Sequence, residues 1–241
     1  MGATPALTAG LRRRNLATPW PPDPNPDRRM TSLERMLDYN RRWAAEMKAK
    51  DHRFFLRQAE GQKPGALLIG CSDSRVPIEN ITGVRPGEMF VHRNIANQIH
   101  GADLCVQSVI AYAVDVLEVP QIIVAGHTAC GGVAAATAEP RHGMVDHWLG
   151  GVRMLWLRHR DELAGLPTKE AGLDRLARLN VLLQVYTLVL NPTVRDAWRE
   201  GRPLALNGMI YDIETGLLEE VVTGIDSSDS AREKLRGFDP A

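Results

Sequence analysis

Apolar residues recur along this chain with two different periods, and their alternation sets the expected fold. From Thr31 onward, Leu33, Met36, Leu37, Ala44 and Met47 fall at helical spacing. Thr31 with Glu34 three residues on has the form of a capping box. A helix is therefore expected from about Thr31 into the late forties, with another turn from Asp51 through Phe54 and Phe55. The breaker cluster Gly61-Gln62-Lys63-Pro64-Gly65 ends this region. Residues 66–70 are then apolar throughout, which suits a strand buried on both faces of a parallel sheet. Met89–His92 and Gln121–Gly126 read as two more strands. Between them, Asp103–Leu117 predicts a buried helix. Val145–Leu163 and Leu173–Leu190 predict further helices, the second stopped by Asn191-Pro192, and Thr193–Arg199 a short one. Leu204–Ile213 and Leu217–Thr223 read as strands around a Glu214-Thr215-Gly216 turn. Strands alternating with helices indicate an α/β sheet covered on both faces.

Composition narrows the function more than the fold. The chain has 241 residues, enough for one domain with appendages, and is 44% hydrophobic. Its 29 basic and 29 acidic residues balance, which gives no reason to expect nucleic acid or an anionic membrane as partner. No apolar run approaches the ~18 residues of a membrane span. Three cysteines, Cys71, Cys105 and Cys130, do not make a disulfide framework and fit a reducing compartment, so a cytoplasmic location is expected. Residues 1–30 are rich in Pro and Arg. They are expected to be a flexible tail, or to precede a true start at Met30, and resemble an organelle transit peptide only weakly.

The candidate chemistry lies where two apolar strands end in glycine. Cys71 follows Gly70, and His127 follows Gly126. Open α/β sheets bind ligands beyond the carboxyl ends of their strands, at a switch point in strand order. Neighbouring strands would bring Cys71 and His127 side by side, and Cys130, three residues on, can share the site. Two thiolates and one imidazole suit zinc. Three firm protein ligands leave a fourth position for water, as in a catalytic rather than a structural site. Cys105, inside the apolar 103–117 run, is expected to be a buried small hydrophobe. Asp73 and Arg75 alternate with Cys71, so in an extended stretch the three share a face. Asp73 can pair bidentately with Arg75 and orient the reacting water, or, if released, take the fourth place on zinc.

The segments Cys71-Ser72-Asp73-Ser74-Arg75-Val76-Pro77, Pro86-Gly87-Glu88-Met89-Phe90-Val91-His92-Arg93-Asn94 and Gly126-His127-Thr128-Ala129-Cys130-Gly131-Gly132 resemble the β-carbonic anhydrases, as does Asn180-Val181 with Gln184. The resemblance spans roughly residues 33–225. It implies a mostly parallel central sheet flanked by helices, with an N-terminal helical arm that embraces a partner in a homodimer or dimer of dimers. The expected division is a tail at 1–30, the arm at 31–62, the zinc catalytic domain at 63–226 and a C-terminal tail at 227–241. The implied reaction is the reversible hydration of carbon dioxide to bicarbonate and a proton by a zinc-bound hydroxide. Cys71, His127 and Cys130 would hold Zn2+, and Asp73 and Arg75 would form the catalytic dyad. Gln62, Phe90, Ile95, Tyr112 and Gly131 match the lining of the carbon dioxide pocket, part of it supplied by the neighbouring subunit. Val76, Arg93 and Tyr211 resemble a regulatory bicarbonate site found in some members. Those members carry a tryptophan where this chain has Leu68, so strong inhibition of that type is not expected. The remaining histidines, at 52, 92, 100, 142, 147 and 159, read as surface or core residues before proton shuttles. A side activity on carbonyl sulfide or carbon disulfide, and a purely structural zinc module, are the competing readings.

Overall fold

The computed structural model describes residues 31–140 and 143–239; the expected tail at 1–30 lies outside them. The chain divides into residues 1–55 and 56–241. In the first unit, helix α1 (Ser32–Lys50) begins with the expected capping box. Glu34 N–H donates to Thr31 Oγ1 at 3.2 Å, and Thr31 N–H donates to the Glu34 carboxylate at 2.6 Å. Trp43, Phe54 and Phe55 pack edge-on, with centroids 5.0 to 6.3 Å apart. Leu33, Met36, Leu37 and Tyr39 are all exposed. Helix α2 (Phe54–Ala59) crosses the boundary between the units.

The second unit continues through β1 (Ala66–Cys71), α3 (Ile78–Thr82), β2 (Met89–Asn94), α4 (Leu104–Ala111), β3 (Gln121–His127) and α5 (Gly131–Thr137). Then come α6 (Met144–Trp148), α7 (Gly150–Arg158), α8 (Arg160–Ala164), α9 (Lys169–Leu190), α10 (Pro192–Arg199), β4 (Ala205–Tyr211), β5 (Leu218–Ile225) and α11 (Ser228–Lys234). The sheet order is β2-β1-β3-β4-β5. β1 pairs parallel with β2 and β3, β3 parallel with β4, and β5 closes the edge antiparallel. Strand order reverses between β1 and β3, so the crevice at their carboxyl ends is the switch point. Alternation along the strands divides the core. Leu67, Ile69, Ile122, Val124, Leu206 and Ile210 join Leu176, Val181, Val185 and Leu188 of α9 in the main cluster. Leu68 and Ala125 form a smaller one with Val76 and Ile78.

Several elements differ from the expected ones. The 103–117 helix is α-helical only to Ala111 and ends in a π-turn over Tyr112–Val116, where Leu117 N–H reaches the Tyr112 carbonyl at 3.0 Å. Only one of its faces is covered: Val106, Ile110, Ala113 and Val114 are buried, whereas Leu104 and Val116 are exposed. Cys105 lies on the uncovered face and is exposed, contrary to the expectation of a buried residue. The 145–163 helix is three short helices broken at Leu149 and His159, the first break beside Gly150-Gly151, a pair with poor helix propensity. Helix α5 was not expected, because its two leading glycines mask the helix-forming Val133–Ala136 run that follows. Within the expected C-terminal tail, α11 is capped by Ser227 Oγ, which accepts from Ser230 N–H at 3.1 Å, and Ala231 is buried. Among the described residues no helix is long and apolar enough to cross a membrane.

Candidate metal centre

Cys71 is the last residue of β1 and His127 the last of β3. Gly70 pairs with Ala125, so the two strand ends release both side chains into the switch-point crevice. Cys130 follows at the N-terminus of α5. The turn between His127 and Cys130 passes through Ala129 in a left-handed conformation, φ 53°. Its N–H donates to Asp174 Oδ1 at 2.9 Å, and Thr128 N–H donates to the Tyr211 carbonyl at 3.0 Å. Cys71, His127 and Cys130 are all buried, and their donor atoms lie within 4.8 Å of one another, with the sulfurs 4.0 Å apart.

The imidazole is oriented by its own backbone. His127 Nδ1 lies 2.9 Å from the Thr128 carbonyl, which can only accept, so Nδ1 carries the proton. Nε2 is left with a lone pair, buried and without a hydrogen-bond partner. The two thiols behave as a coupled pair. Cys71 is held well below an ordinary thiol, at about 4, chiefly by its hydrogen bond with Cys130; burial opposes this, and His127 and the amides of Asp73 and Ala96 assist it. The same interaction and burial push Cys130 up. Burial pushes His127 down, but Cys71, the Thr128 carbonyl and Asp73 outweigh it and raise it overall.

Asp73 and Arg75 form a bidentate pair, Arg75 Nη2 to Asp73 Oδ2 at 2.7 Å and Nε to Oδ1 at 3.0 Å. The Arg75 amide adds a third bond to Oδ1 at 2.9 Å, and Arg75 Nη2 also donates to the Ala129 carbonyl at 3.2 Å. The Arg75 hydrogen bonds hold the Asp73 carboxyl at about 2, against the opposing effect of burial. Asp73 Oδ2 is 3.8 Å from His127 Nε2, so this carboxylate stands beside the donor cluster while tied to arginine.

The other sequence candidates separate into groups. Phe90 and Tyr112 have ring centroids 5.8 Å apart. Ile95 packs over Gly132, where a Cβ would meet its Cγ2 at 2.9 Å, next to Gly131. Gln62 stands apart. It is exposed in the loop before β1, and the adjacent Gly65 N–H bonds to the Glu88 carbonyl ahead of β2. It thus precedes the start of β1, whereas Cys71 ends that strand, which itself spans about 17 Å at ~3.3 Å per residue. Arg93 spends its guanidinium on backbone, donating to the carbonyls of Cys71 at 2.8 Å, Asp73 at 2.7 Å and Val76 at 3.1 Å. Val76 and Leu68 are buried together, with Tyr211 packed against them.

A family model described as carbonic anhydrase matches residues 66–218. A solved β-carbonic anhydrase from Coccomyxa, in complex with acetazolamide, is similar with a TM-score of 0.82 and 35% identity, covering 87% of this chain and 95% of that one.

The chain belongs to the β-carbonic anhydrase family.

Its reaction is the reversible hydration of carbon dioxide to bicarbonate and a proton, and its cofactor is zinc. It is 37% identical over 205 residues to the carbonic anhydrase of Emericella nidulans, covering 83% of this chain and 90% of that protein. A tetrameric β-carbonic anhydrase of Sordaria macrospora is similar with a TM-score of 0.76 and 39% identity, covering 78% of this chain and 95% of that one. The residues of this carbonic anhydrase fit zinc on their own chemistry: two soft sulfurs and one buried ring nitrogen beside them. Sequence reasoning missed the groups that shape the metal centre from a distance. Asp174 holds the Thr128–Ala129 turn from 45 residues away, and the Ala96 amide acts on Cys71. Neither has a local sequence signal, because each acts through a contact made only by folding.

Proposed function

We propose that Cys71, His127 and Cys130 are the zinc ligands of this carbonic anhydrase and that Asp73 and Arg75 form its catalytic dyad. The observation carrying the second half is the bidentate pair beside His127 Nε2. Zinc, when bound, acidifies a water and so supplies a nucleophile near neutral pH. Asp73 Oδ2 accepts a hydrogen bond from the attacking water and holds its remaining lone pair toward the carbon of the substrate. Arg75 keeps that carboxylate ionised and engages both its oxygens; this engagement favours Asp73 as an acceptor over Asp73 as a fourth ligand. Phe90, Tyr112 and Ile95 offer apolar surface suited to an uncharged, weakly solvated gas, and the Gly131 backbone leaves room for it. Gln62, exposed in this chain, serves the site of another copy on this reading, in keeping with a homo-oligomer. The exposed apolar residues of α1 and of the Leu104–Val116 face support the same assembly, with 31–62 as its arm and 63–226 as the catalytic domain. Three free cysteines support a cytoplasmic location. Leu68 has no hydrogen-bond donor, and Arg93 is engaged with backbone, so strong bicarbonate inhibition at Val76, Arg93 and Tyr211 is not expected.

Exchange of labelled oxygen between carbon dioxide and water tests the dyad. Asp73→Asn should retain zinc and fold while exchange falls roughly a hundredfold or more, the scale of a positioned acid–base group. Undiminished exchange in zinc-loaded Asp73→Asn would overturn the assignment.

A further inference from the structure

Behind the metal centre runs the short segment Ile95–Asn97. It carries two consecutive non-glycine residues in left-handed conformation, Ala96 at φ 59° and Asn97 at φ 48°. Such residues cost energy and persist only where their surroundings over-determine them. This segment borders the chain on either side of the donor residues. The Ala96 amide is one of the groups that hold the Cys71 thiol below its ordinary ionisation. Ile95 Cγ2 and Ala96 Cβ close on Gly132, two residues past Cys130, where a Cβ would meet them at 2.9 and 3.1 Å. Asn97 Oδ1 lies 3.7 Å from the Cβ position of Gly126, the residue before His127.

A cluster of three buried side-chain amides holds the segment in place. Gln98 and Asn180 are 1% exposed and Gln184 3%. Gln98 Nε2 donates to the Ala96 carbonyl at 2.6 Å and to Asn180 Oδ1 at 2.8 Å. Asn180 Nδ2 donates to the same carbonyl at 3.0 Å. Gln184 Nε2 donates to Asn180 Oδ1 at 3.0 Å, and Gln184 Oε1 accepts the Ile99 N–H at 2.7 Å. The Asn94 side chain closes the loop, its Oδ1 accepting Gln98 N–H at 2.6 Å and its Nδ2 donating to the Gln98 carbonyl at 2.7 Å. Asn180 and Gln184 sit one turn apart on α9, so this helix reaches the Ile95–Asn97 segment through the Ala96 carbonyl, in addition to the Asp174 bond to the Ala129 amide. Buried polar networks that are fully satisfied specify one local geometry, whereas apolar side chains would fill the same space without directing the Ala96 peptide.

We propose that Gln98, Asn180 and Gln184 are positioning residues for the metal centre. They hold the Ala96 peptide in its left-handed conformation, which keeps Ile95 and Ala96 closed on Gly132 just past Cys130. Outer partners of metal ligands commonly govern metal affinity by ten- to a hundredfold. The inference rests on the proposed zinc ligands, and the test separates the two.

The enzyme is loaded with Co2+ in place of zinc, and its sulfur-to-metal charge-transfer absorption and its rate of metal loss to a chelator are recorded. Gln98→Met keeps the side-chain length and removes the donor. It should shift or weaken the charge-transfer band and release metal at least about tenfold faster. Val194→Ala, a cavity in the buried face of α10 outside the cluster, should lower thermal stability while leaving band and release rate unchanged. If Gln98→Met does not accumulate as folded protein, Gln184→Met at the other end of the cluster carries the same expectation. A wild-type band and release rate in the amide variant, or an equal change in Val194→Ala, would overturn the positioning role. Absence of the band from the wild-type Co2+ enzyme would instead overturn the sulfur ligands themselves.

Discussion

Cys130 provides the sharpest test at the level of single residues. It is a buried thiol held up in its ionisation by Cys71, a state that a metal ion relieves by binding both sulfurs as thiolates. Metal binding and folding are then coupled. Cys130→Ala should be purified without zinc, and its melting temperature should no longer respond to a chelator, whereas the wild-type protein should melt lower once chelated. Identical chelator sensitivity in both proteins would remove Cys130 from the ligand set. The same two sulfurs bear on pH dependence. Two thiolates cancel the formal charge of the zinc and make it a weaker Lewis acid than a site of neutral imidazoles, so a more alkaline water ionises there. Turnover should therefore climb from neutral toward alkaline pH; a profile already level from about pH 6 would contradict this account.

Among elements, the packing of α9 on β3 and β4 positions His127. Val181 of α9 is fully buried and rests in a groove made by two glycines. A Cβ at Gly126 would meet Val181 Cγ2 at 2.7 Å and Ile210 Cδ1 at 2.9 Å, and one at Gly208 would meet Val181 Cγ1 at 2.7 Å. The Gly preceding His127 thus serves close helix–sheet approach. Gly126→Ala should destabilise by about 1–3 kcal/mol through overpacking. Val181→Ala should destabilise on its own by leaving a cavity, yet the double substitution should cost less than the sum by about 1 kcal/mol, since the methyl lost makes room for the methyl gained. Additive urea-unfolding free energies would show that the clash is relieved elsewhere.

For the whole molecule, the proposed function predicts an active site shared between copies. Gln62 precedes the start of β1 and Cys71 ends it, so on that reading Gln62 serves the site of another copy. Gln62→Ala and Asp73→Asn, each weakly active alone, should complement when co-expressed, because a mixed assembly contains a site with an intact Asp73 from one chain and an intact Gln62 from another. Activity no higher than the average of the two parents would place Gln62 outside the shared site.

The alternation of wholly apolar five-residue runs with helical repeats was enough to establish an α/β sheet, because burial on both faces leaves no polar positions in a strand such as Ala66–Gly70. The Thr31–Glu34 cap and the Asn191-Pro192 stop were equally legible, since each acts within a few residues. The donor types at 71, 127 and 130 named the metal chemistry for the same reason: ligand softness is a property of the side chain. Three things had no local signature. Strand order, which puts Cys71 beside His127, depends on how β1 is flanked in the sheet. The exposure of Cys105 depends on which face of α4 the core happens to cover. The left-handed Ala96 and Ala129 are held by Gln98, Asn180 and Asp174, contacts whose energy exists only once distant segments of chain meet.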